Sequence, residues 1–215
     1  LSRIFYLILM VVATSIVCGF PFSPKLSSIV ALMTVGIPAI ALAAWARPGK
    51  TPRGSFMRRL LHFVLPAALL MILFGLGVYL GYLAPALQRY TGTHAVIVPQ
   101  EIFKEVFPIA QTALSIFTIF AGLLLIIFVE PPTPWFEGGD VCRKDRRPAF
   151  MALAMALGFI GFLAAGSLSQ PFDFIDLKLA DYLLIGGAAL LMGLALRFAW
   201  RKKLLDRFFE VNLQA

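Results

Sequence analysis

The sequence predicts an all-α fold: a polytopic membrane helix bundle of about six transmembrane helices, with both termini on the cytoplasmic side. Three observations carry that prediction. Of 215 residues, 60% are hydrophobic and only 14% charged, and the mean hydropathy is +0.88; a soluble domain has roughly 45–50% apolar and about 25% charged residues. The apolar residues fall in six continuous runs, each close to the ~20 residues that carry a helix across a ~30 Å hydrocarbon core. Finally, 15 of the 19 Lys and Arg residues lie on one side of the zigzag those runs imply.

The runs cover about 4–20, 26–45, 60–82, 109–129, 149–168 and 182–200, and the chain 1–215 reads as one transmembrane domain. They are continuous rather than alternating, which excludes a membrane β-barrel. The first run follows Arg3 and resembles a secretory leader, but Pro21 and Pro24 mark a turn into a second span and no small-residue cleavage site intervenes, so it reads as a span. A start at Leu1 without Met implies a chain that begins inside a longer product or lost its first residues. The second run carries Thr34, Gly36 and Pro38 near its middle, and a kink is expected at Pro38, which lacks an N–H and crowds the Thr34 carbonyl. Connector 83–108 is the longest and is expected to hold a short interfacial helix around Glu101, Phe103 and Glu105.

Orientation follows from the cations. Connector 47–59 holds Arg47, Lys50, Arg53, Arg58 and Arg59 with no acid; connector 130–148 holds Arg143, Lys144, Arg146 and Arg147; the tail adds Arg201, Lys202, Lys203 and Arg207. By the positive-inside rule this is the cytoplasmic side. The formal charge of +8 is thereby a matter of topology, and no polar domain exists to bind nucleic acid. Cys18 and Cys142 fall on opposite sides, so no disulfide is expected between them.

The spans contain no Asp, Glu, Lys, Asn or His at mid-membrane depth, which argues against a self-sufficient ion transporter, because buried ionisable groups mark ion pathways. Catalytic motifs are also missing: there is no phosphate-binding loop, no His-Glu-x-x-His and no Gly-x-Ser-x-Gly. No catalytic residue and no metal ligand set is assigned. Gln111, Ser115 and Thr118, spaced by four and three, share one helical face and suit helix–helix hydrogen bonding. Gly186, Gly187 and Gly193 suit close helix packing. Tyr79, Tyr82, Trp45, Trp135 and Trp200 read as interfacial anchors.

The segment Val30-Ala-Leu-Met-Thr-Val-Gly-Ile-Pro-Ala-Ile-Ala-Leu42 resembles the sixth membrane helix of P-type cation-transporting ATPases, with its Thr-x-Gly-x-Pro-x-x-x-Leu pattern. Gly54-Ser-Phe-Met-Arg-Arg59, the stretch from Val129-Glu-Pro-Pro-Thr-Pro to Asp140, and Asp145-Arg-Arg-Pro148 look like connectors of a bacterial branch of these pumps. The resemblance covers essentially the whole chain, as the fifth to tenth membrane helices. It implies a bacterial inner-membrane location and a cation pathway at Thr34, Gly36 and Pro38, with Gln111 and Ser115 as weaker candidates. It also implies a divalent cation, calcium or magnesium, in a complete pump, and no cofactor in this chain alone. The family's Asp-Lys-Thr-Gly segment, nucleotide-binding domain and first four helices are absent from these residues, and Val35 and Ala31 stand where calcium pumps carry Asp and Asn ligands. This chain alone is therefore not expected to be an enzyme. The expected partners are the lipid bilayer and either the remaining part of a pump or other membrane subunits. The alternative is a stand-alone truncated relative serving as a structural or accessory subunit of a membrane complex. An independent carrier or channel is the weaker third reading, since neither inverted repeats nor charged pore residues occur.

Overall fold

In a computed structural model of the chain, residues 23–45, 56–91, 100–129, 146–165 and 170–201 are described. They form five helices long and apolar enough to cross a membrane, and no strand occurs among them. These are α1 (Pro24–Trp45), α2 (Phe56–Thr91), α3 (Gln100–Val129), α4 (Arg147–Ala164) and α5 (Leu179–Arg201). Together they make the chain a multi-pass membrane protein. The sequence-predicted run 4–20, most of connectors 47–59 and 130–148, and the basic tail beyond Arg201 lie outside the described residues.

Each helix covers the core of an expected span, and two begin or end well beyond it. The run 60–82 sits inside α2, which continues through Pro85 to Thr91; the run 109–129 sits inside α3, which starts at Gln100. Hydropathy marks the lipid-crossing part of a helix and is blind to where polar solvent lets the same helix continue. The region around Glu101, Phe103 and Glu105 is therefore the first part of α3 and not a separate interfacial helix.

Helix starts follow local rules. Ser23 caps α1: its Oγ accepts from the Leu26 N–H at 3.2 Å, and Pro24 occupies the first turn, where its missing N–H costs nothing. Pro148 plays the same part at the start of α4. At α5, Asp181 reaches back so that its Oδ2 accepts from the Lys178 N–H at 3.0 Å, the reciprocal half of a capping box with Asp in place of Glu.

The helices pack around α3, which touches all four others. Of its membrane-crossing stretch 78% is buried inside the protein, against 17% to 39% for the other four. Ala110, Ala113, Leu114, Ile116, Phe117 and Ile119 are fully buried on successive faces. The outer helices turn large apolar side chains away from the protein, among them Leu73, Leu153, Leu157, Leu184 and Leu190. In water this arrangement would expose an extended apolar surface; in lipid it costs nothing, and helix association rests on close packing and interhelical hydrogen bonds.

Small residues supply that closeness. A Cβ added at Gly122 of α3 would meet Thr34 of α1, and one added at Gly193 of α5 would run into Leu124 of α3. Gly193 thus packs as its sequence suggested, whereas Gly186 and Gly187 have no heavy atom within 4 Å of an added Cβ. The interfacial anchors also divide. Tyr79 and Trp200 are 1% and 6% exposed and face the interior, because depth along a helix does not decide which side of it a residue occupies.

Candidate functional site

The middle of α1 is not a regular helix. Residues Leu32–Gly36 form a π turn between the α-helical segments Pro24–Ala31 and Ile37–Trp45. The Ile37 N–H donates to the Leu32 carbonyl, five residues back instead of four. The next residue is Pro38, which has no N–H to offer to either Met33 or Thr34. In a regular helix the Pro38 ring would press on the Thr34 carbonyl; widening the preceding turn relieves that contact. The irregularity expected at Pro38 thus takes the form of a wide turn on its N-terminal side.

Thr34 sits within this turn. Its Oγ1 donates to the Val30 carbonyl at 2.7 Å, a back-bond to the preceding turn, and its methyl lies against Gly122. Gly36 is half-buried and Pro38 is buried. On α3, Ser115 Oγ donates to the Gln111 carbonyl at 2.7 Å and Thr118 Oγ1 to the Leu114 carbonyl at 2.8 Å. Gln111 and Ser115 are therefore tied to each other. Thr34 meets α3 at Gly122, further along by about 10 Å from Ser115 and about 16 Å from Gln111 at the rise of an α-helix. The candidate pathway residues form two groups roughly two turns apart, both on the contact between α1 and α3 or on α3 itself. Among the described residues no three His, Cys, Asp or Glu side chains gather.

A second polar region gathers at the end of the bundle where α1 and α5 begin and α2 runs out. Residues 170–178 fold over this end. Gln170–Phe172 make a 3-10 turn, and Asp173 follows in the left-handed region at φ 61°, a conformation Asp tolerates better than most residues. That turn points Asp173 Oδ1 at Lys25 Nζ, 2.9 Å away. It also drives Phe174 into the interior, where its ring meets Phe159 and Phe162 of α4 edge-on at 6.1 and 6.0 Å. The Ile175 N–H then donates to Thr112 Oγ1 of α3 at 3.2 Å. Finally, Tyr82 of α2 donates its hydroxyl to Asp181 Oδ1 at 3.1 Å. Four helices and the connector are joined at this end by polar contacts.

Sequence reasoning gave Thr112, Gly122, Asp173 and Asp181 no functional part. Asp181 had a local signal, an acid in the first turn of a helix. Gly122 had none, because the residues around it on α3 are apolar on every side and only packing distinguishes them.

Two clefts flank α5. One, about 820 Å³, lies between α2 and α5 below the polar end, with Tyr82, Asp176, Lys178 and Asp181 at its mouth. The other, about 860 Å³, lies among α3, α4 and α5, and its walls are apolar apart from Tyr182.

Comparison with known protein families, with curated proteins and with solved structures finds no match for this chain.

Proposed function

We propose that this chain is a membrane-embedded module of a cation-transporting assembly, in the manner of the fifth to tenth helices of a bacterial P-type ATPase. One observation carries the reading: the second predicted span is interrupted by the wide turn Leu32–Gly36, at the segment where the resemblance assigns a cation pathway. π turns inside α-helices recur at functional sites, and irregular backbone at membrane depth is tolerated where it lines a cavity or is buried in protein. Pro38 leaves backbone oxygen of this turn without its ordinary donor, and Thr34 Oγ1 keeps lone pairs beyond the bond it donates. Oxygen ligands of this kind suit a hard divalent cation such as calcium or magnesium. Thr34, Gly36 and Pro38 would form the pathway element, and Gln111 and Ser115 a second level on α3. Phosphoryl transfer would reside outside these residues, which carry no Asp-Lys-Thr-Gly segment. In this reading the module sits in a bacterial inner membrane with both termini cytoplasmic.

The second reading is an accessory subunit of a membrane complex. It is favoured by the hydroxyls of Thr34 and Ser115, each already bonded to a carbonyl of its own helix. The deciding experiment is the intact mass of the native polypeptide after gentle detergent extraction, with assay for an ATP-dependent phosphoenzyme. A mass several times 23.6 kDa with phosphorylation supports the pump; a mass near that value with stoichiometric partners and no phosphoenzyme overturns it in favour of the subunit.

A further inference from the structure

The cleft between α2 and α5 has a polarity gradient that its apolar counterpart lacks. Its mouth at the polar end carries both signs of charge, with Lys178 and Asp176 exposed beside Tyr82 and Asp181. The Asp181 carboxylate is already engaged, by the Tyr82 hydroxyl and the Lys178 N–H, which leaves the Lys178 ammonium and the Asp176 carboxylate as the groups open to a ligand. Below the mouth the walls are apolar, from Gly81 and Gly77 to Leu73 on α2 and from Leu184 to Ala188 on α5. From Lys178 to Ala188 the rise is about 15 Å, half of a ~30 Å hydrocarbon core. The cleft is therefore one leaflet deep.

Two glycines shape its floor. A Cβ at Gly77 or Gly81 would have no heavy atom of the described residues within 4 Å, so the bare backbone of α2 faces space that they leave unfilled. A transmembrane helix seated here would have to continue past the cleft's lower end through the second leaflet. An amphiphile with a zwitterionic head and a single-leaflet tail fits both the depth and the charges.

We propose that this cleft is a binding site for one phospholipid with an amine-bearing head group. An acyl chain lies along Gly77 and Gly81, the phosphate pairs with the Lys178 ammonium, and the head-group ammonium pairs with the Asp176 carboxylate. The site tethers α2 to α5 where the described residues leave a gap between them.

The test uses the full chain in phosphatidylcholine nanodiscs doped with a phosphatidylethanolamine that carries a photoactivatable acyl chain. Labelled peptides are mapped by mass spectrometry. The expected result is label concentrated on residues 73–86 and 184–188. The double substitution Gly77→Leu and Gly81→Leu, whose Cβ atoms would meet no described atom within 4 Å, should remove most of it. Lys178→Glu should lower it without altering the helix content seen by circular dichroism, and Gly158→Leu, on open surface outside both clefts, should leave it unchanged. Label spread evenly over all outward faces, or undiminished in the filled and charge-reversed variants, would overturn the proposal. So would cross-links from these residues to segment 4–20 or to a second copy of the chain, which would show a helix in the cleft instead of a lipid.

Discussion

Thr34 of α1 and Gly122 of α3 meet so closely that a Cβ on Gly122 would stand 2.6 Å from Thr34 Cγ2 and 3.0 Å from its Cβ. The contact fixes the wide turn of α1 against the most buried of the described helices. Gly122→Ala should therefore cost about 1–3 kcal/mol, the usual penalty of overpacking, read from reversible unfolding in mixed micelles. Thr34→Ser removes the methyl and keeps the Val30 bond, so the double variant should recover part of that loss. Strict additivity of the two substitutions would mean that the contact is not made. Gly193→Ala should be milder, because the Leu124 atom it meets is the end of a side chain that can turn away.

At the polar end, Asp181→Ala should be more damaging than Tyr82→Phe. The first removes an acceptor shared by the Tyr82 hydroxyl and the Lys178 N–H; the second removes one donor. A cost of about 1–3 kcal/mol is expected for Asp181→Ala and about 0.5–1.5 kcal/mol for Tyr82→Phe. Thermal unfolding in detergent gives the order, and equal costs would mean that the bond to the Lys178 N–H contributes nothing.

Asp173 separates charge from backbone. Its ion pair with Lys25 is about half exposed on both sides, with side-chain exposures of 52% and 58%, so Lys25→Ala should cost no more than about 1 kcal/mol. Asp173→Ala should cost about 1–2 kcal/mol more, because Ala must hold a left-handed φ. Asp173→Gly should fall near Lys25→Ala. A series in which Gly and Ala behave alike would remove backbone conformation as the cause.

Tyr79 places a fully buried hydroxyl where no partner is found among the described residues. Leaving such a group unpaired costs about 1–3 kcal/mol, so Tyr79→Phe should keep or raise stability where most buried substitutions lower it. A clear loss in Tyr79→Phe would reveal a partner for that hydroxyl.

How much of this was legible in the sequence follows from what each signal measures. The spans of α1 to α5 were legible because crossing a bilayer sets a length and a composition, and neither depends on neighbours. Pro38 announced a disturbed helix, but that the resulting π turn at Leu32–Gly36 lies against Gly122 of α3 is recorded by no local pattern. Tyr79 and Tyr82 looked alike as aromatic residues near a membrane surface. Three residues apart on α2, the first turned inward and the second found Asp181 some 99 positions later. Pairings of that range are written in packing and are invisible to periodicity. The pathway residues Gln111 and Ser115 shared a face by spacing alone; that Thr34 meets α3 two turns away required the register between the two helices.

Ser115 and Thr118 bond to carbonyls of their own helix, and this has a consequence for biogenesis. A ribosome delivers α3 to the membrane before α4 and α5 exist, so for a time it is bordered by lipid on faces that are later interior. The bonds that these two hydroxyls make within α3 can form before any later segment is made. Thr112 differs, since its donor belongs to Ile175, 63 residues downstream. That bond can form only after α4 has been threaded and the connector has folded back over the end of the bundle, which makes it a late step of assembly and a marker of its completion.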